Sequence, residues 1–308
     1  MGGWDRALDA AGLDESRLRD DYGRQREQVA RYKREALLAA GLLLPPRLVP
    51  HVVAATALMH RTDNLLDSGP VEERKQAYSA WEQEVRDSLA GGGTDDPELR
   101  PLLHTVSAHP VLRGRVLDYL ASALADLDFT GFDTEADYQR YLDGYSLPAF
   151  MVVATLLGPD CDQPDGDQAA YRAACRTFID AAQRLDFVND LAEDLADGRL
   201  TIPERTMEQH RVTRADLEQA RDRPTVRALL TDQLDQVDRT LAESRALIGL
   251  VPPVHRPMVR CLIRLDELTS TAARADVPAL LHRSAAPAKL AAARLLGREY
   301  LRARRLRR

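Results

Sequence analysis

Aromatic residues are scarce in this chain, 5% of its 308 positions, and cysteines number only three. Cys161, Cys175 and Cys261 are scattered at no metal-ligand spacing, and an odd count makes no disulfide framework. A reducing cytoplasm is therefore the expected compartment. Basic excess is also missing. The net charge of −6 leaves nothing to neutralise a phosphate backbone, which excludes nucleic acid as the main partner. Long apolar runs are absent: the longest, Ala149 to Leu157, falls far short of the roughly 20 residues that span a bilayer. The N-terminal residues show no basic-then-apolar leader. The seven histidines fall in no H-E-x-x-H or similar spacing, which argues against zinc. No segment alternates polar and apolar residues for more than a few positions, so no extensive sheet is expected.

What the chain does have is alanine, leucine, arginine and carboxylates, with 44% hydrophobic and 29% charged residues. Straight-chain residues lose little rotamer freedom in helices, so the composition favours an all-α fold. Helices are expected from about Arg17 to Gly41, stopped by Pro45-Pro46, and from Pro50 to Asp67, ended by Ser68-Gly69-Pro70. Others cover Glu72 to Leu89, Pro101 to Ser107 and Pro110 to Asp128. Thr134 with Asp137 starts one that runs to Leu157. A polar loop follows from Cys161 to Asp167, then a long helix from Gln168 to Asp197 closed by Gly198. Thr213 with Asp216 caps a further helix, and Thr225 to Ile248 and Pro257 to Ala275 supply two more. No linker separates autonomous parts, so one helical domain over 1–308 is expected, its core about 17–296 and a basic tail over 297–308.

Asp63-Asn64-Leu65-Leu66-Asp67 sets two carboxylates one helical turn apart on a common face. Like charges at that spacing repel, and the run Val52 to Met59 upstream suggests a helix buried on most sides. Asp190-Leu191-Ala192-Glu193-Asp194 repeats the spacing, and Asp186 extends the stripe by a turn. Either motif alone is commonplace on a solvated helix face. Two copies on otherwise apolar helices, facing each other, would make a cage of hard oxygen ligands suited to Mg²⁺, or to Mn²⁺, together with substrate phosphates.

The ordered blocks around these motifs resemble the squalene/phytoene synthase family. Leu42-Leu43-Leu44-Pro45-Pro46-Arg47 is similar to its Leu-Leu-Pro segment, and His60 to Asp67 to its Arg-Arg-Thr-Asp-Glu-Leu-Val-Asp. Trp81-Glu82 falls where phytoene synthases often carry the same pair. The strongest block is Gln183 through Pro203, which resembles Arg-Asp-x-x-Glu-Asp followed by Arg-Gly-Arg-x-Tyr-Leu-Pro. Leu265-Asp266-Glu267 and Pro287-Ala288-Lys289-Leu290 match weaker features.

The resemblance implies an isoprenoid-synthase fold around a central cavity, with Asp63, Asp67, Asp190 and Asp194 as catalytic metal–diphosphate residues. It also implies an apolar tunnel for prenyl chains and a farnesyl or geranylgeranyl diphosphate substrate. The expected reaction joins two prenyl diphosphates head to head through a cyclopropyl diphosphate. NADPH use stays open, because the missing Gly-rich fingerprint bears only on Rossmann-type binding.

Several neighbours depart from the family. The Ser-x-Ser segment aligns with Arg34-Glu35-Ala36, a Tyr with Thr56 and an Arg with His60. In the second motif Asp186 replaces Asn and Asn189 replaces Arg. Each lost arginine removes a permanent, bidentate charge. Arg34, Arg61, Gln183, Asp186, Asn189 and Arg199 are the candidate substrate-binding residues. Pro148 and Phe150 replace small glycines where a second prenyl chain would lie. Two alternatives stay open on these grounds: cyclisation of one prenyl diphosphate or transfer to a non-isoprenoid acceptor, and a non-catalytic binding or assembly module. Tyr138, Tyr141 and Tyr145 read as packing before cation stabilisers. The basic tail either is a solvated helix end, the commoner case, or rests on an anionic membrane at ~1 kcal/mol per basic residue.

Overall fold

The computed structural model describes residues 2–307 apart from 68, 128 and 160–164, so Cys161 and most of the expected polar loop lie outside the described residues. The chain enters through α1 (Gly3–Ala10), α2 (Ser16–Tyr32), α3 (Arg34–Leu43), α4 (Val49–Asp67) and α5 (Val71–Gly91). It continues through α6 (Arg100–Ala108), α7 (Leu112–Ala123), α8 (Glu135–Tyr141), α9 (Leu147–Leu157), α10 (Asp165–Asn189) and α11 (Leu191–Ala196). The remaining helices are α12 (Glu204–Gln209), α13 (Arg214–Glu218), α14 (Pro224–Ser244), α15 (Leu247–Leu250), α16 (Arg256–Ala275) and α17 (Lys289–Leu306). Among the described residues no strand forms, and no helix is long and apolar enough to cross a membrane.

The apolar run of α4 explains its position. Val49 to Ala55, Ala57 and Leu58 are all buried, so this helix is covered on most sides and only its C-terminal turns reach solvent. Its cluster collects Tyr78, Trp81 and Val85 of α5, Val116 and Tyr119 of α7, Met151 of α9 and Phe178 of α10. A second cluster joins Leu185 and Val188 of α10 to Leu230, Leu234 and Val237 of α14. Burial of these side chains is the dominant stabilising term, at about 25 cal/mol per Å² of apolar area.

Three breaks interrupt helices that the sequence reads as continuous. Lys33, at φ −131° and ψ 44°, separates α2 from α3. Leu142–Ser146 forms a π-turn between α8 and α9; Pro148 lies just beyond and has no N–H to continue the ladder to Gly144. Asp190, at φ −98° and ψ 14°, separates α10 from α11. Asn189 is pulled away by Ala285, exchanging two hydrogen bonds with its backbone at 2.8 and 3.2 Å, and Asn and Asp side chains compete well with helical pairing. Each break delivers a polar side chain to one region.

That region is fixed by a close backbone approach. Gly131 forms an isolated parallel bridge to Leu200, and a Cβ at Gly131 would meet the Leu200 carbonyl oxygen at 2.7 Å. Its φ of +153° adds to the demand for glycine. Gly131→Ala is expected to destabilise the fold by about 1–3 kcal/mol and to displace Arg199 next door. Urea unfolding compared with wild type checks this.

Candidate active site

The end of α4 carries Asp63 and Asp67 on one wall of a cavity of about 680 Å³, together with Arg74, Phe129, Tyr145 and Arg199. The α10–α11 junction carries Asp186, Asp190 and Asp194 on the wall of a second cavity of about 350 Å³. Phe129, Tyr145 and Arg199 line both cavities. The two acidic motifs thus border adjoining spaces that share these side chains.

Local structure explains the placement of Arg199. Gly198 takes the left-handed conformation, φ +81°, that ends α11. The chain then doubles back so that the Arg199 N–H donates to the Asp194 carbonyl at 2.8 Å. The guanidinium pairs with the Asp194 carboxylate at 3.0 Å and reaches Asp197 at 3.7 Å. Its Nε is buried with no hydrogen-bond partner. Arg74 has the same feature: Nη1 donates to the Leu66 carbonyl while its buried Nε has no partner. Two cations therefore border the larger cavity.

The carboxylates are electrostatically crowded. Asp186 stays open to solvent, yet desolvation by the protein around it, aided by Asp190 and Asp194 and opposed by Lys33 and Arg199, pushes it up to about 6. Burial likewise lifts Asp194 to about 6, against the pull of Arg199. Asp266 of α16 rises to about 7, again from burial first and from Asp186 second. Tyr119 donates to Asp63 Oδ1 at 2.8 Å, and burial together with that carboxylate raises the phenol well above its ordinary range. Ser284 donates to Asp190 Oδ1 at 2.7 Å.

A sign follows for stability. Each carboxyl held above its ordinary range binds more protons in the folded than in the unfolded chain and by itself makes stability fall as pH rises between about 4 and about 7, whereas His51, pushed down to about 3 by burial, and His60 and His104, also lowered by burial, act in the opposite sense. The melting temperature of metal-free Asp266→Asn is therefore expected to rise relative to wild type as pH goes from about 5 to about 7.5, and differential scanning calorimetry across the range checks this.

An aromatic wall stands beside the acidic groups. Phe129 packs on Tyr141 at 4.9 Å and on Phe132 at 4.7 Å, and Tyr141 on Tyr145 at 5.3 Å. Phe187 stacks on Phe129 at 6.2 Å. Three of the chain's five phenylalanines gather here. Tyr138 packs as expected: it is buried beneath Arg184, which sits over its ring at 4.3 Å. Tyr141 and Tyr145 do line the smaller cavity, so they also offer π-faces to its contents.

The sequence-derived candidates divide. Asp63, Asp67, Asp186, Asp190, Asp194, Gln183 and Arg199 line the two cavities, with Gln183 accepting from Ser146 Oγ at 3.0 Å. Arg61 is turned to Glu98 at 3.5 Å and lies over Trp81 at 5.8 Å, away from both linings. Arg34 is exposed at the first turn of α3 and lines neither cavity. Asn189 is spent on Ala285, as described above.

Sequence reasoning missed Lys33, Arg74 and Tyr119, and gave Asp266 no role. Lys33 sits in a helix-favouring run whose break no Gly or Pro announces. Yet it supplies a cation felt by both Asp186 and His60. His60 itself stacks on Tyr32 at 3.3 Å, and burial, then Lys33, pushes its pKa down. Lys33 thus places positive charge near both His60 and Asp186.

Comparison with known proteins bears on this geometry. The family model described as squalene/phytoene synthase matches residues 30–303. The Streptomyces coelicolor bifunctional protein CrtB/UppS is 27% identical over 84% of this chain and 45% of its own length. A Synechocystis 15-cis-phytoene synthase is 24% identical over 68% of the chain and 64% of its own length. The chain therefore spans less than two thirds of either relative. Squalene synthase HpnC from Alicyclobacillus acidocaldarius superposes with a TM-score of 0.75 at 24% identity, covering 87% of this chain and 98% of that one. A dehydrosqualene synthase gives a TM-score of 0.77 at 19% identity over 92% and 96%. These structural likenesses show the fold.

Proposed function

Because the chain belongs to the squalene/phytoene synthase family, whose members are prenyl-transferring enzymes, we propose that it ionises a prenyl diphosphate in the paired cavities. The observation that carries this reading is the shared border of the two: Asp63 and Asp67 on one side, Asp190 and Asp194 on the other, and Arg199, Tyr145 and Phe129 between. Hard carboxylate oxygens suit Mg²⁺, and Mn²⁺ accepts the same donors. Among the described residues no three metal-binding side chains converge into a ready-made cage. Diphosphate and water oxygens would therefore complete the coordination. When bound, the metal neutralises the leaving group and stabilises the charge that develops on it.

The chain's own residues do the rest. Arg199 would exchange Asp194 for a diphosphate oxygen, and Arg74 on the same cavity wall would add a second cation. Lys33 adds positive charge at the entrance of the α2–α3 break. The carbon–oxygen bond breaks with its electron pair leaving on diphosphate. The allylic cation is left against Tyr145, Tyr141 and Phe129, whose π-faces stabilise it. In the head-to-head reaction the double bond of a second prenyl chain supplies the electron pair, and loss of a proton closes the cyclopropane ring. Asp186, which lines the smaller cavity and is coupled electrostatically to Asp266, would take the proton.

A second outcome has its own observation. Phe150 packs on Phe178 at 5.4 Å within the main core, occupying the position where the family keeps a small residue. That packing favours a single bound prenyl chain, which would cyclise or pass to a different acceptor activated by the Asp186–Asp266 carboxyls. Incubation with farnesyl or geranylgeranyl diphosphate and Mg²⁺, with and without NADPH, followed by mass spectrometry decides. The expected product is a dimeric cyclopropyl diphosphate, or the hydrocarbon formed from it by loss of the second diphosphate with hydride from NADPH or, without NADPH, with loss of a second proton. A monomeric terpene or alkylated acceptor selects the second outcome, and absence of any diphosphate release contradicts both.

A further inference from the structure

A groove of about 730 Å³ runs between α16 and α17 and shares no lining residue with the carboxylate cavities. Arg260 and Arg264 line it from α16, and Arg294, Arg298 and Arg302 from α17. Only part of this charge is neutralised within the protein. Glu299, 1% exposed, lies between Arg260, at 3.0 Å, and Arg302. Glu267 pairs with Arg264 and Arg245. Arg294 and Arg298 are exposed and have no carboxylate partner among the described residues. The basic surface continues past Arg302 to Arg256 and Arg305 around a neighbouring hollow. This concentration of arginine stands on a chain whose net charge is −6.

The same surface exposes apolar side chains. Leu290 is 61% exposed, Leu301 56% and Leu306 44%. At about 100° per residue, Leu290 and Leu301 fall on the outer face of α17 with Arg294, Arg298 and Arg305. A soluble anion or a nucleic acid would use the arginines and leave the leucines in water. An anionic bilayer uses both. Guanidinium groups fork onto phosphodiester headgroups, their aliphatic stems lie along the interface, and leucines enter the acyl boundary.

We infer that the α16–α17 face docks on a bilayer containing anionic phospholipid, with α17 lying in the interface and the arginine groove holding headgroup phosphates. The inference rests on this surface alone and does not depend on the chemistry of the carboxylate cavities.

Flotation of the full chain with vesicles tests it. Binding is expected to phosphatidylcholine vesicles containing phosphatidylglycerol and not to phosphatidylcholine alone, and it should weaken as salt rises. Each arginine removed should lower partitioning roughly fivefold, so Arg294→Ala with Arg298→Ala loses roughly 25-fold. Leu290→Ser with Leu301→Ser should also weaken vesicle binding without changing the affinity for soluble glycerol phosphate. All four positions are exposed, and melting curves confirm that the variants fold. No binding to anionic vesicles by the unmodified chain overturns the inference. So does retention of binding by the folded arginine variant. Binding that ignores the leucine changes and is displaced by soluble glycerol phosphate also overturns it and leaves a soluble-anion site.

Discussion

Asp190→Asn lowers Mg²⁺-dependent diphosphate release from farnesyl or geranylgeranyl diphosphate by roughly a thousandfold, and at the same time raises the melting temperature of the metal-free protein. The two effects have one cause. Asp190 is one of four carboxylates around a single cavity, with Asp186, Glu193 and Asp194, and its charge helps to hold Asp186 up at about 6. Without a cation this crowding opposes folding, and removing one charge relieves it. An amide still accepts the Ser284 hydroxyl found at 2.7 Å, so the helix break at this position survives. A purely structural role would move both readouts the other way, with lower stability and little change in rate per folded molecule. Steady-state diphosphate assays with thermal melts of the same samples distinguish the cases. Loss of stability on Asp190→Asn would show that the carboxylate packs the fold.

Arg199→Ala is expected to cost about a hundredfold to a thousandfold in kcat/KM, and Arg199→Lys about tenfold. The guanidinium lines both cavities and already pairs with Asp194 at 3.0 Å, while its Nε stays without a partner. Lysine keeps the charge but presents it as a point without the planar fork, so it restores attraction and not geometry. In the Ala variant Asp194 loses the cation that holds it down, and its carboxyl should rise above about 6. The rising limb of the pH–rate profile then moves to higher pH. An unchanged profile in a variant of normal stability would place Arg199 outside the reaction.

The acidic motifs were legible in the sequence because their spacing and the apolar run before Asp63 each carry a physical signal. The apolar run Val52 to Met59 pointed to a buried helix, and Asp63 at its end is half-buried while Asp67 is exposed. Arg199 was legible through the resemblance of its block to the family's Arg-Gly-Arg, and the left-handed turn at Gly198 in the structure explains why it folds back over the helix end. Side-chain direction was not legible. Arg61 stands two residues before Asp63, yet it faces Glu98 and Trp81, because neighbours on a helix diverge by about 100°. Asn189 looked like a substrate contact until Ala285 was seen to occupy it. Lys33, Tyr119 and Asp266 reach the site through tertiary packing between α2, α7, α10 and α16. No local pattern encodes that convergence. The three helix breaks share this origin: only the one near Pro148 has a residue to mark it, while those at Lys33 and Asp190 depend on partners distant in sequence.

The account turns on whether diphosphate and its metal sit between the two acidic helix ends. A crystal structure with Mg²⁺ and farnesyl thiodiphosphate tests this directly. The expected density places metal-bound diphosphate between Asp63 and Asp190–Asp194, in contact with Arg199, and the prenyl chain against Phe129 and Tyr145. Diphosphate bound elsewhere, for example in the arginine groove of α16 and α17 with the aspartates bare, would contradict it.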